Sequence, residues 1–135
     1  MRKKTDATET LVTAIIRGIF EKKGLDVVRL NLKNFESRIT DYYIICHGNS
    51  VTQVESIAGS VEDTVRRETG EKPLHVEGLE NCYWVLLDYS DVIVHVFLSE
   101  YRNFYSLESL WADAEIEKYE DVVKEKKTYG RRRKQ

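Results

Sequence analysis

The stretch YWVLLDYSDVIVHVFL, residues 83–98, decides the fold because two β-rich apolar runs flank a short polar turn. Each run alternates, so successive side chains point to opposite faces of a sheet. The spacing predicts a hairpin with strands over residues 83–88 and 92–98, joined through Tyr89 and Ser90. In that register three pairs of residues lie opposite each other: Asp88 and Asp91, Leu86 and Ile93, and Trp84 and His95.

Both faces of the predicted hairpin are apolar. We expect one face to form the core beneath the long helices, and it comprises Tyr83, Val85, Leu87, Val92, Val94 and Val96. The second face comprises Trp84, Leu86, Asp88, Ile93, His95 and Phe97. Two alternatives explain why this second face is apolar. Either a helix over residues 100–113 folds back and covers it, or part of the face binds a protein, because interfaces combine an apolar patch with a polar rim.

The remaining pattern predicts an α/β fold. Apolar residues recur at helical spacing in three segments: 6–23, 51–68 and 100–113. β-Rich runs mark three more strands: 26–32, 42–47 and 73–77. The order α-β-β-α-β-β-β-α predicts a single mixed sheet of about five strands with helices packed on it. Ser50 and Gln53 are spaced as a capping box for the second helix. Inside that helix Gly59 costs about 1 kcal/mol relative to alanine, and close packing against the sheet is one interpretation of it.

Composition fits one globular domain. The chain has 135 residues, of which 41% are hydrophobic and 33% charged, and its net charge is −2. Residues 1–10 lack the apolar region of a signal peptide, and no apolar run approaches the ~20 residues of a membrane helix, so we expect a cytoplasmic protein. Cys46 and Cys82 lie in apolar runs without metal-ligand spacing, which predicts buried, reduced thiols.

The end of the chain differs from the rest in charge. Residues 124–134 carry seven basic side chains and one acid, so the remainder is acidic. We expect disorder past about residue 125. The basic cluster at the very end is a candidate for contact with RNA phosphates, with a solvated tail as the alternative. It comprises Arg131, Arg132, Arg133 and Lys134.

Four blocks carry a family resemblance. They read DYYIICHGNS at residues 41–50, KPLHVEG at 72–78, WVLLDYSDVIVHVF at 84–97 and RNFYSLESLW at 102–111. In order and spacing they resemble the ribosomal silencing factor (RsfS, Iojap-like) family. We therefore assign a domain of that family to residues 1–114 and a charged C-terminal extension to residues 115–135. Ser90 stands where the family has glycine. Because serine tolerates a positive φ poorly, a type I turn with a register shifted by one residue is an alternative.

The resemblance implies a fold related to nucleotidyltransferases but without their activity or a cofactor. It further implies a translational repressor that binds the large ribosomal subunit through its fourteenth ribosomal protein, blocks joining of the small subunit and lowers translation when nutrients are scarce. The basic tail would then face ribosomal RNA, and a second copy of the chain is a further candidate partner. The implied binding surface comprises Trp84, Leu86, Asp88, Tyr89 and Asp91, with His95, Arg102 and Tyr105 assigned more loosely.

The alternative is a Mg²⁺-dependent nucleotidyltransferase. Gly48-Asn49-Ser50 at a helix start could hold phosphate on backbone N–H groups, and Asp88 with Asp91 could hold the metal. However, a carboxylate pair on one strand face needs D-x-D spacing, whereas these two residues are spaced D-x-x-D across a turn. The histidines, His47, His75 and His95, lack zinc-ligand spacing. We therefore expect a binding protein without catalytic or metal-binding residues.

Overall fold

The computed structural model describes residues 4–121, in which helices pack on one mixed sheet. The helices are α1 Lys4–Glu21, α2 Val51–Thr69, α3 Ser99–Tyr105 and α4 Leu107–Leu110. The strands are β1 Leu25–Asn31, β2 Tyr42–Gly48, β3 His75–Glu77, β4 Trp84–Asp88, β5 Val92–Leu98 and β6 Glu115–Lys118. The sheet order is β3-β4-β5-β2-β1-β6, with β2 and β5 parallel and the other neighbours antiparallel. The predicted α/β class and single mixed sheet are confirmed.

Helices α1 and α2 cover one face of the sheet because each has an apolar stripe at helical spacing. The buried residues of the two stripes include Leu11, Ile15, Ile19, Val54, Ile57, Val61 and Val65. At the start of α2, Ser50 Oγ accepts the Gln53 N–H at 3.1 Å, while Gln53 Oε1 accepts the Asn49 N–H at 2.8 Å. In a full capping box Gln53 would accept the N–H of Ser50 itself. Only the Ser50 half of the predicted box is therefore formed, because Gln53 accepts the N–H of the preceding residue, Asn49. No helix within residues 4–121 is long and apolar enough to span a membrane.

The two long helices approach closely at Gly18. A Cβ atom on this glycine would lie 2.8 Å from the Cα of Val61, and Ser60 Oγ donates to the Gly18 carbonyl at 2.7 Å. Gly59 is exposed, and a Cβ atom there would meet no atom within 4 Å. The interpretation of Gly59 as a packing glycine is wrong, because α2 turns that position toward solvent and meets α1 at the two residues that follow.

The C-terminal segment covers part of the second sheet face. The helix predicted over residues 100–113 breaks at Ser106, whose φ is +47°, and so forms α3 and α4. The chain then adds β6 to the edge of the sheet, antiparallel to β1. The sequence pattern did not predict this strand, because its alternation of charge and one isoleucine resembles a solvated segment. The segment predicted to be disordered, past residue 125, and the basic cluster at 131–134 lie outside the described residues.

The predicted hairpin register is wrong by two residues. The observed pairs are Asp88 with Ile93, Leu86 with His95, and Trp84 with Phe97. The turn residues are Ser90 and Asp91, one position later than predicted, because the Tyr89 N–H still donates to the Val92 carbonyl at 2.9 Å. Ser90 takes a φ of +77°, so the type I alternative is also wrong. An even shift leaves the residues of each face unchanged.

The valine-rich hairpin face packs under α1 and α2, as predicted. Its buried members are Val85, Leu87, Val92, Val94 and Val96. Tyr83 is the exception: it precedes β4, is 41% exposed and stacks on Tyr101 with ring centroids 4.7 Å apart. Cys46 and Cys82 are buried and free, which confirms the prediction for both thiols. Burial raises the pKa of the Cys46 thiol to about 12, so this thiol stays protonated in the folded protein.

Candidate functional site

The second sheet face is only partly covered. Its buried layer comes from β1, β2, β5, the residue after β1 and the C-terminal segment that caps them: Val28, Leu30, Leu32, Tyr43, Ile45, Ile93, Phe97 and Ala114. Trp84 and Leu86 on β4 pack against this layer but remain half-buried. The segment after residue 98 therefore folds back and covers much of this face. An apolar border on β4, formed by Trp84 and Leu86, remains accessible.

Trp84 is fixed on three sides. Its ring centroid lies 5.1 Å from that of Phe97 and 4.6 Å from that of Tyr105. Its indole N–H donates to Nδ1 of His95 at 2.9 Å. Tyr105, at the end of α3, is 44% exposed, so the two rings form a continuous aromatic surface. This surface has the residue types that anchor protein interfaces.

His95 lies beneath Trp84 and is 3% exposed. Burial lowers the pKa of its imidazole to about 3, so the ring is neutral at physiological pH. The ring of Tyr43 meets it edge to face, with centroids 4.5 Å apart. Within the described residues, Nε2 of His95 is buried without a hydrogen-bond partner. The sequence grouped His95 with the surface residues, but the structure places it under them.

Arg102 is also buried, in an ion pair that holds the covering segment. Its Nη2 donates to Oε2 of Glu108 at 2.7 Å, and its Nη1 lies 3.0 Å from Nδ1 of His47. Burial and the adjacent Arg102 charge lower the pKa of His47. Arg102 therefore joins α3 and α4 to the end of β2 and does not present its charge at the surface.

The hairpin tip carries the two predicted aspartates. Asp88 and Asp91 are half-buried, and Asp88 Oδ1 accepts the N–H of Ser90 at 2.7 Å. Tyr89 lies between them but is buried on the opposite face, among residues packed under α1 and α2. Because the turn begins at Ser90, Tyr89 continues the alternation of β4 and points away from Trp84.

The tip also borders a polar cleft of about 370 Å³. The cleft is lined by Glu36, Arg38, Ile39, Thr40, Asp41, Ser90 and Asp91. The Thr40 hydroxyl donates to the Ser90 carbonyl at 2.8 Å, which ties the start of β2 to the turn. Arg38 pairs with Asp41, so part of the cleft charge is neutralised internally.

The structure thus brings together Trp84, Leu86 and Tyr105, with Asp88 and Asp91 at one end. It does not bring Tyr89, His95 or Arg102 to that surface. Sequence reasoning missed Leu74, which is 74% exposed and whose N–H donates to the Asp88 carbonyl at 2.7 Å. It also missed the Tyr83–Tyr101 stack. The sequence signal for these residues was their apolar or aromatic character: Leu74 lies inside the block at residues 72–78, and Tyr83 and Tyr101 directly precede the blocks at 84–97 and 102–111.

The described residues contain no group of three or more His, Cys, Asp and Glu side chains arranged to hold a metal ion. One oxygen of Asp88 is committed to the turn, and Asp91 lies on the far side of Ser90. This geometry suits the stabilisation of a tight turn with an acidic border.

Comparisons with known proteins identify the family. The sequence profile described as ribosomal silencing factor during starvation matches residues 5–135. Ribosomal silencing factor RsfS of Halalkalibacterium halodurans is 40% identical over 117 residues, which cover 87% of this chain and 98% of the relative. A more distant mouse relative, mitochondrial assembly of ribosomal large subunit protein 1, is 27% identical over 56% of this chain and 34% of its own length.

A solved structure supports the same conclusion. The X-ray crystal structure of a Chromobacterium violaceum protein, 31% identical, superposes with a TM-score of 0.69 over 82% of this chain and 88% of that chain. Identity at this level together with a shared fold indicates common ancestry. Because the family profile matches residues 5–135 and a bacterial silencing factor is similar over nearly its whole length, this chain belongs to the ribosomal silencing factor family.

Proposed function

We propose that this protein represses translation by binding the large ribosomal subunit through the fourteenth large-subunit ribosomal protein, which blocks joining of the small subunit when nutrients are scarce. The observation that carries the proposal is the half-exposed aromatic surface of Trp84 and Tyr105 in a chain of the silencing factor family. The name of the mouse relative, which refers to assembly of the large ribosomal subunit, supports the choice of subunit.

The chemistry of the surface supports a protein partner. Trp84, Leu86 and Tyr105 offer an apolar centre, and Asp88 and Asp91 offer an acidic border at the tip. Tryptophan and tyrosine are enriched among the few residues that provide most of the binding energy at interfaces. An acidic rim favours a partner with basic residues around an apolar patch, and it would raise the association rate more than the affinity.

Sedimentation with purified subunits tests this proposal. The protein should co-sediment with large subunits and not with small ones. Its addition before the subunits are mixed should reduce the fraction of intact ribosomes. Addition of isolated fourteenth ribosomal protein in excess should compete with the subunit for the repressor. Failure to sediment with large subunits at low and moderate salt would contradict the proposal.

We further propose that binding, and not catalysis, is the activity of this chain. The carboxylates of Asp88 and Asp91 flank the turn, and one Asp88 oxygen already accepts the Ser90 N–H, which supports a structural role for Asp88. Purified protein with nucleoside triphosphates and Mg²⁺ should release no pyrophosphate above background. Turnover that disappears in Asp88→Ala would favour the nucleotidyltransferase instead.

A further inference from the structure

The indole N–H of Trp84 points into the protein. It donates to Nδ1 of His95 at 2.9 Å, and His95 is 3% exposed. We infer that His95 is a positioning residue: it holds the nitrogen edge of Trp84 against the sheet, so that the ring meets the ribosomal protein as an apolar surface and not as a hydrogen-bond donor. The inference rests on the proposed function, since it concerns the same surface.

The direction of this hydrogen bond is fixed by chemistry. An indole nitrogen can only donate, so Nδ1 of His95 must accept and the proton of the neutral imidazole must lie on Nε2. Burial lowers the pKa of His95 to about 3, so the accepting form persists throughout the physiological pH range. Trp84 therefore has one stable orientation at this contact.

The register of β4 and β5 makes the Trp84–His95 contact a diagonal one across the two strands. Trp84 lies opposite Phe97, whereas His95 lies opposite Leu86. The indole thus leans along the sheet toward the Leu86–His95 pair, and Tyr105 packs on it at 4.6 Å. Since the indole nitrogen is bonded to His95, the accessible part of the half-buried ring is carbon. Leu86, which is also half-buried, lies two residues along the same face of β4.

His95 carries a cost that its position does not otherwise explain. Its Nε2 is buried without a hydrogen-bond partner among the described residues, and an unpaired buried donor lowers the stability of the fold. Leucine would fill this apolar layer without that penalty. Within residues 4–121 the hydrogen bond to Trp84 is the one side-chain hydrogen bond that His95 makes, which points to orientation of the indole as its role.

The recognition chemistry follows from this orientation. The partner surface opposite Trp84 needs an apolar side chain that covers the ring and needs no hydrogen-bond acceptor. Loss of the His95 acceptor would free the indole to rotate and expose its N–H. Docking of the apolar partner surface would then require either reorientation of the ring or burial of an unpaired donor, and both weaken the complex.

Two variants of His95 test the inference in a Trp111→Phe background, where Trp84 is the sole tryptophan. His95→Asn keeps an acceptor oxygen near the Nδ1 position, and His95→Leu removes it. The measurements are hydrogen exchange of the indole N–H by NMR in the free protein, and calorimetric affinity for the isolated fourteenth ribosomal protein. Urea unfolding provides the stability of each variant.

We expect slow indole exchange and affinity within about threefold of the parent for His95→Asn. For His95→Leu we expect at least tenfold faster indole exchange and at least tenfold weaker binding, with an unfolding midpoint no lower than that of the parent. A residue with a merely structural role would not separate affinity from stability in this way.

Two results would overturn the inference. One is indole exchange in the parent as fast as that of a solvent-exposed indole, which needs no variant to measure. The other is parent-like affinity in folded His95→Leu. A parent protein that binds neither the isolated ribosomal protein nor large subunits overturns the proposed function and the recognition chemistry together, whereas the first two results leave the proposed function standing.

Discussion

Arg102 and Glu108 form a two-bond ion pair across the break between α3 and α4, with Nη2–Oε2 at 2.7 Å and Nε–Oε1 at 3.2 Å. The guanidinium is nearly buried, whereas the carboxylate is 35% exposed. The pair holds the two short helices at the angle that covers Tyr43 and Phe97 and leaves Trp84 accessible. Its rupture should therefore affect both the fold and the candidate site.

Glu108→Ala should lower the free energy of unfolding by about 1–3 kcal/mol, because it leaves a buried guanidinium short of an acceptor, although partial exposure moderates the loss. Urea denaturation measures the change. The control is Asp63→Ala, which removes the exposed pairs with Arg66 and Arg67 on α2 and should change the free energy of unfolding little, because water screens exposed ion pairs. Equal effects of the two substitutions would contradict a structural role for the Arg102–Glu108 pair.

Trp84→Ala should weaken binding to the isolated fourteenth ribosomal protein by roughly 2–4 kcal/mol, which is about 30- to 800-fold. It should also destabilise the fold by ~1–3 kcal/mol, since the ring is half-buried against Phe97. Calorimetry and thermal melting measure the two effects.

Trp111→Ala is the matched control for Trp84→Ala. Trp111 is also half-buried, but it packs on Phe35 at 5.1 Å and on Tyr43, away from β4. Its truncation should lower the melting temperature by a similar amount and leave the affinity within a few-fold of the parent. If both alanine variants lose binding in proportion to their stability, the Trp84 surface is not the interface.

Gly59→Ala should stabilise the protein by about 0.5–1 kcal/mol, because the position is an exposed helix interior with open space around its Cβ. Gly18→Ala should destabilise it, because the new methyl group would lie 2.8 Å from the Val61 backbone and push α1 away from α2. Chemical denaturation of both variants measures the change in the free energy of unfolding that each substitution causes. Opposite signs are expected, and a stabilising Gly18→Ala would show that the helices separate readily.

Ser90→Gly should stabilise the hairpin by up to about 1 kcal/mol, because serine holds a φ of +77° that glycine adopts without a steric penalty. The gain is reduced by the greater freedom of glycine in the unfolded chain. Thermal melting measures the net effect. Ser37→Gly, in the exposed loop before β2, is the control and should give no increase.

Acid should destabilise the fold through His95. The folded pKa is lowered to about 3 from an ordinary value of 6.5, so below pH 6.5 the unfolded chain binds a proton that the folded protein does not. Stability is thus complete above pH 6.5 and falls toward pH 3, by up to ~1.4 kcal/mol per pH unit.

Urea unfolding between pH 7 and 5 tests this dependence before the carboxylates begin to protonate. His95→Leu should flatten the slope. Some slope should remain, because the pKa of His47 is also lowered by burial and by the Arg102 charge. An unchanged slope in His95→Leu would mean that the buried imidazole does not control acid stability.

The sequence by itself determined the faces of the sheet, the two long helices and the family. These features are local: an alternation of period two assigns each residue of 83–98 to a face, and helical spacing assigns the buried stripes of α1 and α2. The four recognised blocks carry the family because they are contiguous in sequence. The family match needs no knowledge of which residues touch.

Only the tertiary structure decided which residues of those faces meet. Alternation does not determine register: only the position of the turn at Ser90 and Asp91 sets Trp84 opposite Phe97. The same turn position places Tyr89, which the sequence predicts in the turn, at the end of the strand pairing, where its N–H donates to the Val92 carbonyl. Strand β6 requires β1 as a template, and its charged sequence gives no apolar signal. The Trp84–His95 hydrogen bond depends on the register of the hairpin. The burial of Arg102 arises from packing against segments distant in sequence, because burial depends on what covers a side chain and not on the side chain alone.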